Sequence, residues 1–211
     1  MSKLTKRHFN YIANSYDDFK NRNKLYYKTL KNAVKKEVVR TNSTILDIGC
    51  ATGSILYFLN AKKGVGIDIS GEMIKIARKK YSHLRNLKFE VFNIEKKAYK
   101  KNKFDYILFN DVIEHVKNQE KTIKNIADSM SVKTILIFSM ANPMWEPILM
   151  FLEKLRLKMP EGPHFRISEN DLISLFKKNN LDIKSKKVYF PSLPFLSNFG
   201  LIYVYTIKKT V

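Results

Sequence analysis

Thr44-Ile45-Leu46-Asp47-Ile48-Gly49-Cys50-Ala51-Thr52-Gly53-Ser54, followed by Gly64-Val65-Gly66-Ile67-Asp68-Ile69-Ser70, organises the reading of this chain. Ile45, Leu46 and Ile48 form a short apolar run that stops at Gly49, as a buried parallel strand does. A helical pattern begins at Ser54 with Ile55, Leu56, Phe58 and Leu59. Between them lies a tight turn with glycines at its ends, read as places where a side chain would obstruct a ligand lying on the backbone. Val65 to Ile69 is a second strand, with Asp68 near its carboxyl end. An acidic residue about 20 positions past a glycine-rich first turn suits a nucleoside ribose, because its carboxylate accepts both hydroxyl protons.

The turn decides which nucleoside. A dinucleotide fingerprint needs G-x-G-x-x-G with the pyrophosphate over helix N-terminal amides. Here Ala51 and Ser54 fall at two of the glycine positions, and no lysine followed by Ser or Thr provides a P-loop. What remains, Asp47 ahead of Gly49, Ala51 and Gly53, resembles the first motif of the class I S-adenosylmethionine-dependent methyltransferases, with Ala51 replacing the middle glycine. The ligand chemistry agrees: S-adenosylmethionine lacks phosphate, and its amino group and sulfonium favour a carboxylate such as Asp47. Phe104 to Val116, containing Asn110-Asp111-Val112-Ile113-Glu114-His115, resembles the fourth strand and following turn of the branch that includes the ubiquinone and menaquinone biosynthesis enzymes. Phe89 to Ile94 resembles the third strand, where the family places an Asp against the adenine amino group; Asn93 can accept that hydrogen bond without the charge. The resemblance covers Ser43 to Ser139 and implies S-adenosylmethionine as cofactor. It implies a cofactor set of Asp47, Gly49, Ala51, Gly53, Asp68, Ile69, Asn93, Ile94 and Asn110. Phe9 to Leu30, with Ala13, Tyr16 and Asp17, resembles the N-terminal helices of small-molecule methyltransferases.

Lys and Arg number 39 against 19 Asp and Glu, a net charge of +20. Such a balance suits a polyanionic partner, nucleic acid or an anionic membrane surface. Arg occurs at only seven positions, however, and the lysines are spread along the chain, so compositional bias is preferred to dedicated phosphate recognition. No apolar run reaches the roughly 18 to 20 residues of a membrane span. Met1 to Arg7 is basic without the apolar segment of a signal peptide, and Cys50 is the single cysteine, so a cytoplasmic location is expected. Cys50 reads as a small hydrophobe beside the cofactor rather than a nucleophile.

Residues 1–40 read as two helices, Phe9, Ile12, Ala13 and Tyr16 sharing one face and Leu25, Tyr26, Leu30, Val34 and Val38 another. Ser70-Gly71-Glu72 starts a helix with Met73, Ile74, Ile76 and Ala77 inward. Strands are expected near 87–92, 104–109 and 134–138, with a helix over 119–130. Strands alternating with helices imply parallel βαβ units and an open, doubly wound α/β sheet. Gly49, Asp68, Asn93 and Asn110 then all fall at carboxyl ends of strands, where such sheets bind ligands. A helix is expected from Trp145 to Lys158, another from Ser168, and final strands over 181–190 and 201–208 around the apolar excursion 191–196. With the resemblance this gives one domain, 1–211, with a mostly parallel seven-stranded sheet: an N-terminal helical cap (1–40), a cofactor-binding core (41–140) and an acceptor side (141–211).

Methyl transfer from a sulfonium is an in-line displacement in which a protein aligns the acceptor and excludes water. A hydroxyl acceptor also needs a base, and His115, after the fourth strand, is the candidate. Asp111, Glu114 and His115 could hold a divalent metal by resemblance to ubiquinone O-methyltransferases, but a polar turn is the simpler reading and no metal is assigned. His164 and Arg166, in a loop bounded by Pro and Gly, form a second candidate site for an acceptor carboxylate or phosphate. Asn110-Asp111-Val112-Ile113 is not the N/D-P-P-Y/F motif of exocyclic-amine methylases. The expected partner is a small-molecule acceptor methylated on oxygen, lipid- or glycan-linked hydroxyls included because of the apolar C-terminal segments. The 145–158 helix, mixing Trp, Met and Leu with Lys154, Arg156 and Lys158, could make peripheral contact with an anionic membrane surface, but packing onto the domain is the simpler reading. Two alternatives stay open: an RNA methyltransferase, from the charge, and a non-catalytic scaffold in which Ala51 and Asn93 mark departures.

Overall fold

A computed structural model describes residues 3–101, 103–145, 148, 151, 162–189 and 200–210. Its sheet has seven strands: β1 (Thr44–Ile48), β2 (Lys63–Asp68), β3 (Leu87–Val91), β4 (Tyr106–Asn110), β5 (Ile135–Ala141), β6 (Leu181–Tyr189) and β7 (Ile202–Lys209). They lie in the order β3-β2-β1-β4-β5-β7-β6. Pairing is parallel throughout β3-β2-β1-β4-β5, and β7 runs antiparallel to both β5 and β6. The chain winds outward from β1 to β3, then returns to place β4 against the other side of β1. That reversal opens a crevice beyond the carboxyl ends of β1 and β4.

Side-chain alternation along the strands feeds two apolar layers. Leu46, Ile48, Ile107, Phe109 and Phe138 pack beneath α6 (Gln119–Ser129) and α7 (Glu169–Lys178), through Ile123, Ile126, Leu172 and Phe176. Ile45, Tyr106, Leu108 and Ile137 face α3 (Lys24–Glu37), α4 (Ser54–Leu59) and α5 (Gly71–Lys80), through Leu30, Val34, Leu56, Ile74 and Ala77. Asp47 points to this second layer, where only 2% of it is exposed. Two helix starts follow their sequence signals: the Ser70 hydroxyl accepts from Met73 N at 3.1 Å, and that of Ser168 from Asp171 N at 3.1 Å.

The N-terminal region differs from the expected pair of helices. It forms α1 (Lys3–Ile12), a 3₁₀ turn at Ala13–Ser15, α2 (Tyr16–Arg22) and α3. The break lets Ile12 and Ala13 press onto Ala51 and Met73, with Phe9, Tyr16 and Phe19 packed around them. The helices thereby close over the β1–α4 turn rather than running past it. Pro143–Trp145 is a 3₁₀ turn; most of the helix expected over 145–158, and the 191–196 excursion, lie outside the described residues. No helix among the described residues is long and apolar enough to cross a membrane.

Candidate functional site

The turn after β1 is fixed by backbone geometry. Gly49, Ala51 and Gly53 all have positive φ, at 76°, 46° and 82°. Gly49 N and Cys50 N both donate to Ile67 O, at 2.8 and 3.1 Å, which ties the turn to β2. The glycine requirement arises from the protein's own packing as well as from the backbone. A Cβ at Gly49 would lie 2.4 Å from Val112 Cγ2, and one at Gly53 would lie 2.6 Å from Phe89 Cε1. Contact with Val112 and Phe89 is thus a requirement on these glycines that comes in addition to any ligand, and Gly49 also lines the neighbouring cavity. Gly49→Ala is expected to lower stability by about 2–3 kcal/mol, combining left-handed strain with overpacking, as read from denaturant midpoints. An unchanged midpoint would show that Val112 yields. Ala51 adopts the same left-handed region, and its methyl is buried against Ile12, Ala13 and Met73, a contact that glycine could not make.

Asp68 braces this turn. Its Oδ2 accepts from Ala51 N at 2.9 Å and its Oδ1 from Ser70 N at 2.8 Å. Each carboxylate oxygen has a second lone pair, so both retain acceptor capacity towards a ribose. Burial holds the Asp68 carboxyl above its ordinary range, while the amides of Ser70 and Ala51 pull it back. Asp47 lies deeper: burial raises its carboxyl from 3.8 to about 7, with Lys20 opposing and Asp68 adding to the rise. Its Oδ2 has no hydrogen-bond partner. Burial likewise pushes the Cys50 thiol well up, which suits an inert packing residue.

A cavity of about 510 Å³ opens beside these groups, lined by Gly49, Cys50, Ala51, Asp68, Asn110 and His115, and by the cap residues Tyr16, Lys20, Tyr26 and Tyr27. Both amide atoms of Asn110 are buried there without a hydrogen-bond partner. Leaving such a group unsatisfied costs about 1–3 kcal/mol, so it marks a place where a polar ligand belongs. The other residues of the expected cofactor set stand differently. Asp47 and Gly53 are buried behind the lining. Ile69 and Ile94 are buried, and the Asn93 side-chain oxygen accepts from Glu95 N at 3.0 Å in its own turn.

Asp111 follows Asn110 with φ 53°, again left-handed. Its Oδ2 accepts from the Tyr26 hydroxyl at 2.8 Å and its Oδ1 from the Ser139 hydroxyl at 2.8 Å. The 3₁₀ turn Ile113–His115 then brings His115 to the cavity, 9% exposed. Its ring meets Phe9 and His164 edge-on, with centroids 5.1 and 5.0 Å away, and its Nδ1 lies 3.4 Å from Pro163 O. Phe165 N donates to Glu114 O at 2.7 Å, and Gln119 Nε2 donates to Phe165 O at 2.8 Å, fastening the 162–166 loop over this turn. His164 is thus joined to His115. Arg166 instead lines a separate open groove with Glu95, Asn118 and Asp171. Among the described residues, no group of three or more His, Cys, Asp and Glu side chains could hold a metal ion.

Asp17, singled out in the sequence, and Asn10, which was not, fasten the cap over the site. The Thr52 hydroxyl donates to Asp17 Oδ1 at 2.7 Å, and Asp17 Oδ2 pairs with Lys80 at 2.8 Å. The Ser70 hydroxyl bonds Asn10 Oδ1 at 2.7 Å. Each of these contacts joins the cap to the β1–α4 turn or to α5. Tyr26 had a visible signal only as a member of an apolar helix face; its bond to Asp111 spans 85 positions.

A buried amide facing the cavity, an orphaned carboxylate oxygen behind it and a ribose-ready Asp68 fit a nucleoside carrying a cationic arm. A family model described as a methyltransferase domain matches residues 19–186. The chain belongs to the class I S-adenosylmethionine-dependent methyltransferases. Its cofactor is S-adenosylmethionine. An uncharacterised protein of Methanocaldococcus jannaschii is 34% identical over 116 residues, 55% of this chain and 52% of that one. The malonyl-[acyl-carrier protein] O-methyltransferase of Bacillus cereus is 29% identical over 141 residues, 64% of this chain and 52% of that one. The chain spans about half the length of the curated relatives it matches. Among solved structures, a Thermotoga maritima S-adenosylmethionine-dependent methyltransferase, described as a possible histamine N-methyltransferase, superposes with TM-score 0.76 at 21% identity, covering 98% of this chain and 100% of that one. At that identity the likeness speaks for the fold.

Proposed function

We propose that this methyltransferase domain methylates a hydroxyl oxygen of a small-molecule acceptor in the cavity beneath the N-terminal cap, with His115 as the general base. The observation that carries this reading is that His115 lines the same cavity as Gly49, Ala51, Asp68 and Asn110. S-adenosylmethionine supplies an electrophilic methyl group, and the hydroxyl proton has to leave as the oxygen–carbon bond forms. Pro163 O, at 3.4 Å, favours the tautomer with a proton on Nδ1, which puts the lone pair on Nε2 for that proton. Phe9 and His164 hold the ring from two sides, and the cap excludes water. The B. cereus relative is named an O-methyltransferase, in keeping with oxygen as the acceptor atom, whereas the Zea mays and Plasmodium falciparum relatives are named phosphoethanolamine N-methyltransferases.

Asp47, Gly49, Ala51, Gly53, Asp68 and Asn110 would hold the cofactor, with Ile69, Asn93 and Ile94 towards its adenine. The single sheet shared by core and C-terminal strands supports reading 1–211 as one domain. A lipid- or glycan-linked hydroxyl is part of the proposal because Met144, Ile148 and Phe151 are 53%, 50% and 61% exposed at helical spacing. His115→Gln is expected to lower turnover about 100-fold while S-adenosylmethionine affinity stays within about twofold. Full turnover in the variant would remove His115 from the role. Acceptor screening with lipid-linked, glycan and free phenolic hydroxyls, read as S-adenosylhomocysteine release, tests the acceptor class.

A further inference from the structure

Lys20 is a charged cavity residue that the proposed chemistry leaves unused. It projects from α2, and its Nζ lies 4.5 Å from the Tyr16 ring centroid and 4.9 Å from that of Tyr27. Two tyrosine faces around one ammonium make a cation seat, since each ring presents its negative face to the charge. The seat is also acidic. Burial draws the Lys20 pKa down, while Asp17, Asp47 and Asp111 draw it back up. The lysine thus balances carboxylates that would otherwise face one another in a poorly solvated site, among them Asp47 with its unpartnered Oδ2. This is the same negative charge that suits the sulfonium and amino group of the cofactor.

We infer that the Lys20 ammonium is an internal occupant of the seat that the cofactor's cationic arm takes, and that it swings out to solvent when the cofactor enters. The inference rests on S-adenosylmethionine binding in this cavity. Two cations cannot share the seat without strong repulsion at low effective dielectric. Lysine suits the part: its flexible four-carbon stem lets a strongly hydrated head leave for water without moving the helix. Lys20 then acts as a specificity-determining residue. It lowers affinity for any ligand in proportion to the positive charge that the ligand brings, and it keeps the empty site electrostatically balanced.

The test compares three ligands on the wild-type chain and on Lys20→Met by calorimetric titration. S-adenosylmethionine carries a sulfonium beside the ammonium and carboxylate of its amino-acid arm, S-adenosylhomocysteine keeps that ammonium and carboxylate without the sulfonium, and methylthioadenosine has none of the three. Lys20→Met is expected to tighten the first about tenfold and the second about threefold, leaving the third unchanged. Lys20→Gln should follow the same order and Lys20→Arg should not, which separates charge from packing. A second readout is acylation of Lys20 by an amine reagent, followed on its peptide by mass spectrometry. It should speed up with S-adenosylmethionine and not with methylthioadenosine. Equal weakening of the two amino-acid-bearing ligands in Lys20→Met would show that Lys20 grips their carboxylate, and would overturn the inference. So would unchanged affinities. Binding of none of the three to the wild-type chain would overturn the cofactor seat itself.

Discussion

Asp68→Ala is expected to weaken S-adenosylmethionine binding by about 100- to 1000-fold, the largest single loss in the site. Two effects combine. The ribose loses a charged acceptor, and hydrogen bonds to charged groups contribute about 1.5–3 kcal/mol each. The turn also loses its brace, because Asp68 is the acceptor for Ala51 N and Ser70 N at 2.9 and 2.8 Å. Ala51, already left-handed at φ 46°, is held in that conformation partly by this bond. Asp68→Asn separates the two effects only in part, since its amide can serve Ser70 N through oxygen but offers Ala51 N another donor. Calorimetric titration measures the loss, and a thermal melt checks that the variant folds. Unchanged affinity in a folded Asp68→Ala chain would show that the ribose lies elsewhere.

Asp68 also shows why part of this site could be read without a structure. Strand, turn, helix and acidic strand end follow one another within about 25 residues here, and each is signalled locally: an apolar run, glycines, a helical stripe. The same holds for the helix starts at Ser70 and Ser168. The roles of the turn glycines were not legible in the same way, because Val112 and Phe89, the atoms that forbid a Cβ, come from 63 and 36 positions away. The cap was the least legible. No Pro or Gly marks a break at Ala13–Ser15; Asn14 and Ser15 are only weak helix formers, the Ser15 hydroxyl donates to Ile12 O at 3.2 Å, and Ile12 and Ala13 gain burial on Ala51 and Met73. The pairing of Tyr26 with Asp111, and the seating of Lys20 between Tyr16 and Tyr27, are consequences of that turn. Local pattern gives the elements, whereas charge balance in a cavity depends on which elements meet.

That balance gives Asp47 the second large effect. In the free protein its carboxyl is raised from 3.8 to about 7, chiefly by burial. The folded state therefore binds this proton more tightly than the unfolded chain does. Stability from this group is highest below about pH 4, falls as pH rises towards about 7, and is level above; the full fall is at most about 4 kcal/mol. Asp47→Asn should remove that slope and stabilise the free protein at pH 8, read from denaturant midpoints at pH 5 and pH 8. Cofactor binding should run the opposite way. A cationic arm favours ionised Asp47, so S-adenosylmethionine affinity is expected to rise with pH up to about 7 and then level, with protons released to the buffer on binding. In Asp47→Asn the affinity should fall by about tenfold or more at pH 8 and lose its pH dependence. A variant that keeps the wild-type slope in both stability and affinity would place the titration on another group, and would separate the orphaned Asp47 oxygen from the cofactor's charge. If both slopes vanish together, one buried carboxylate makes the empty fold less stable so that the site can hold a cation.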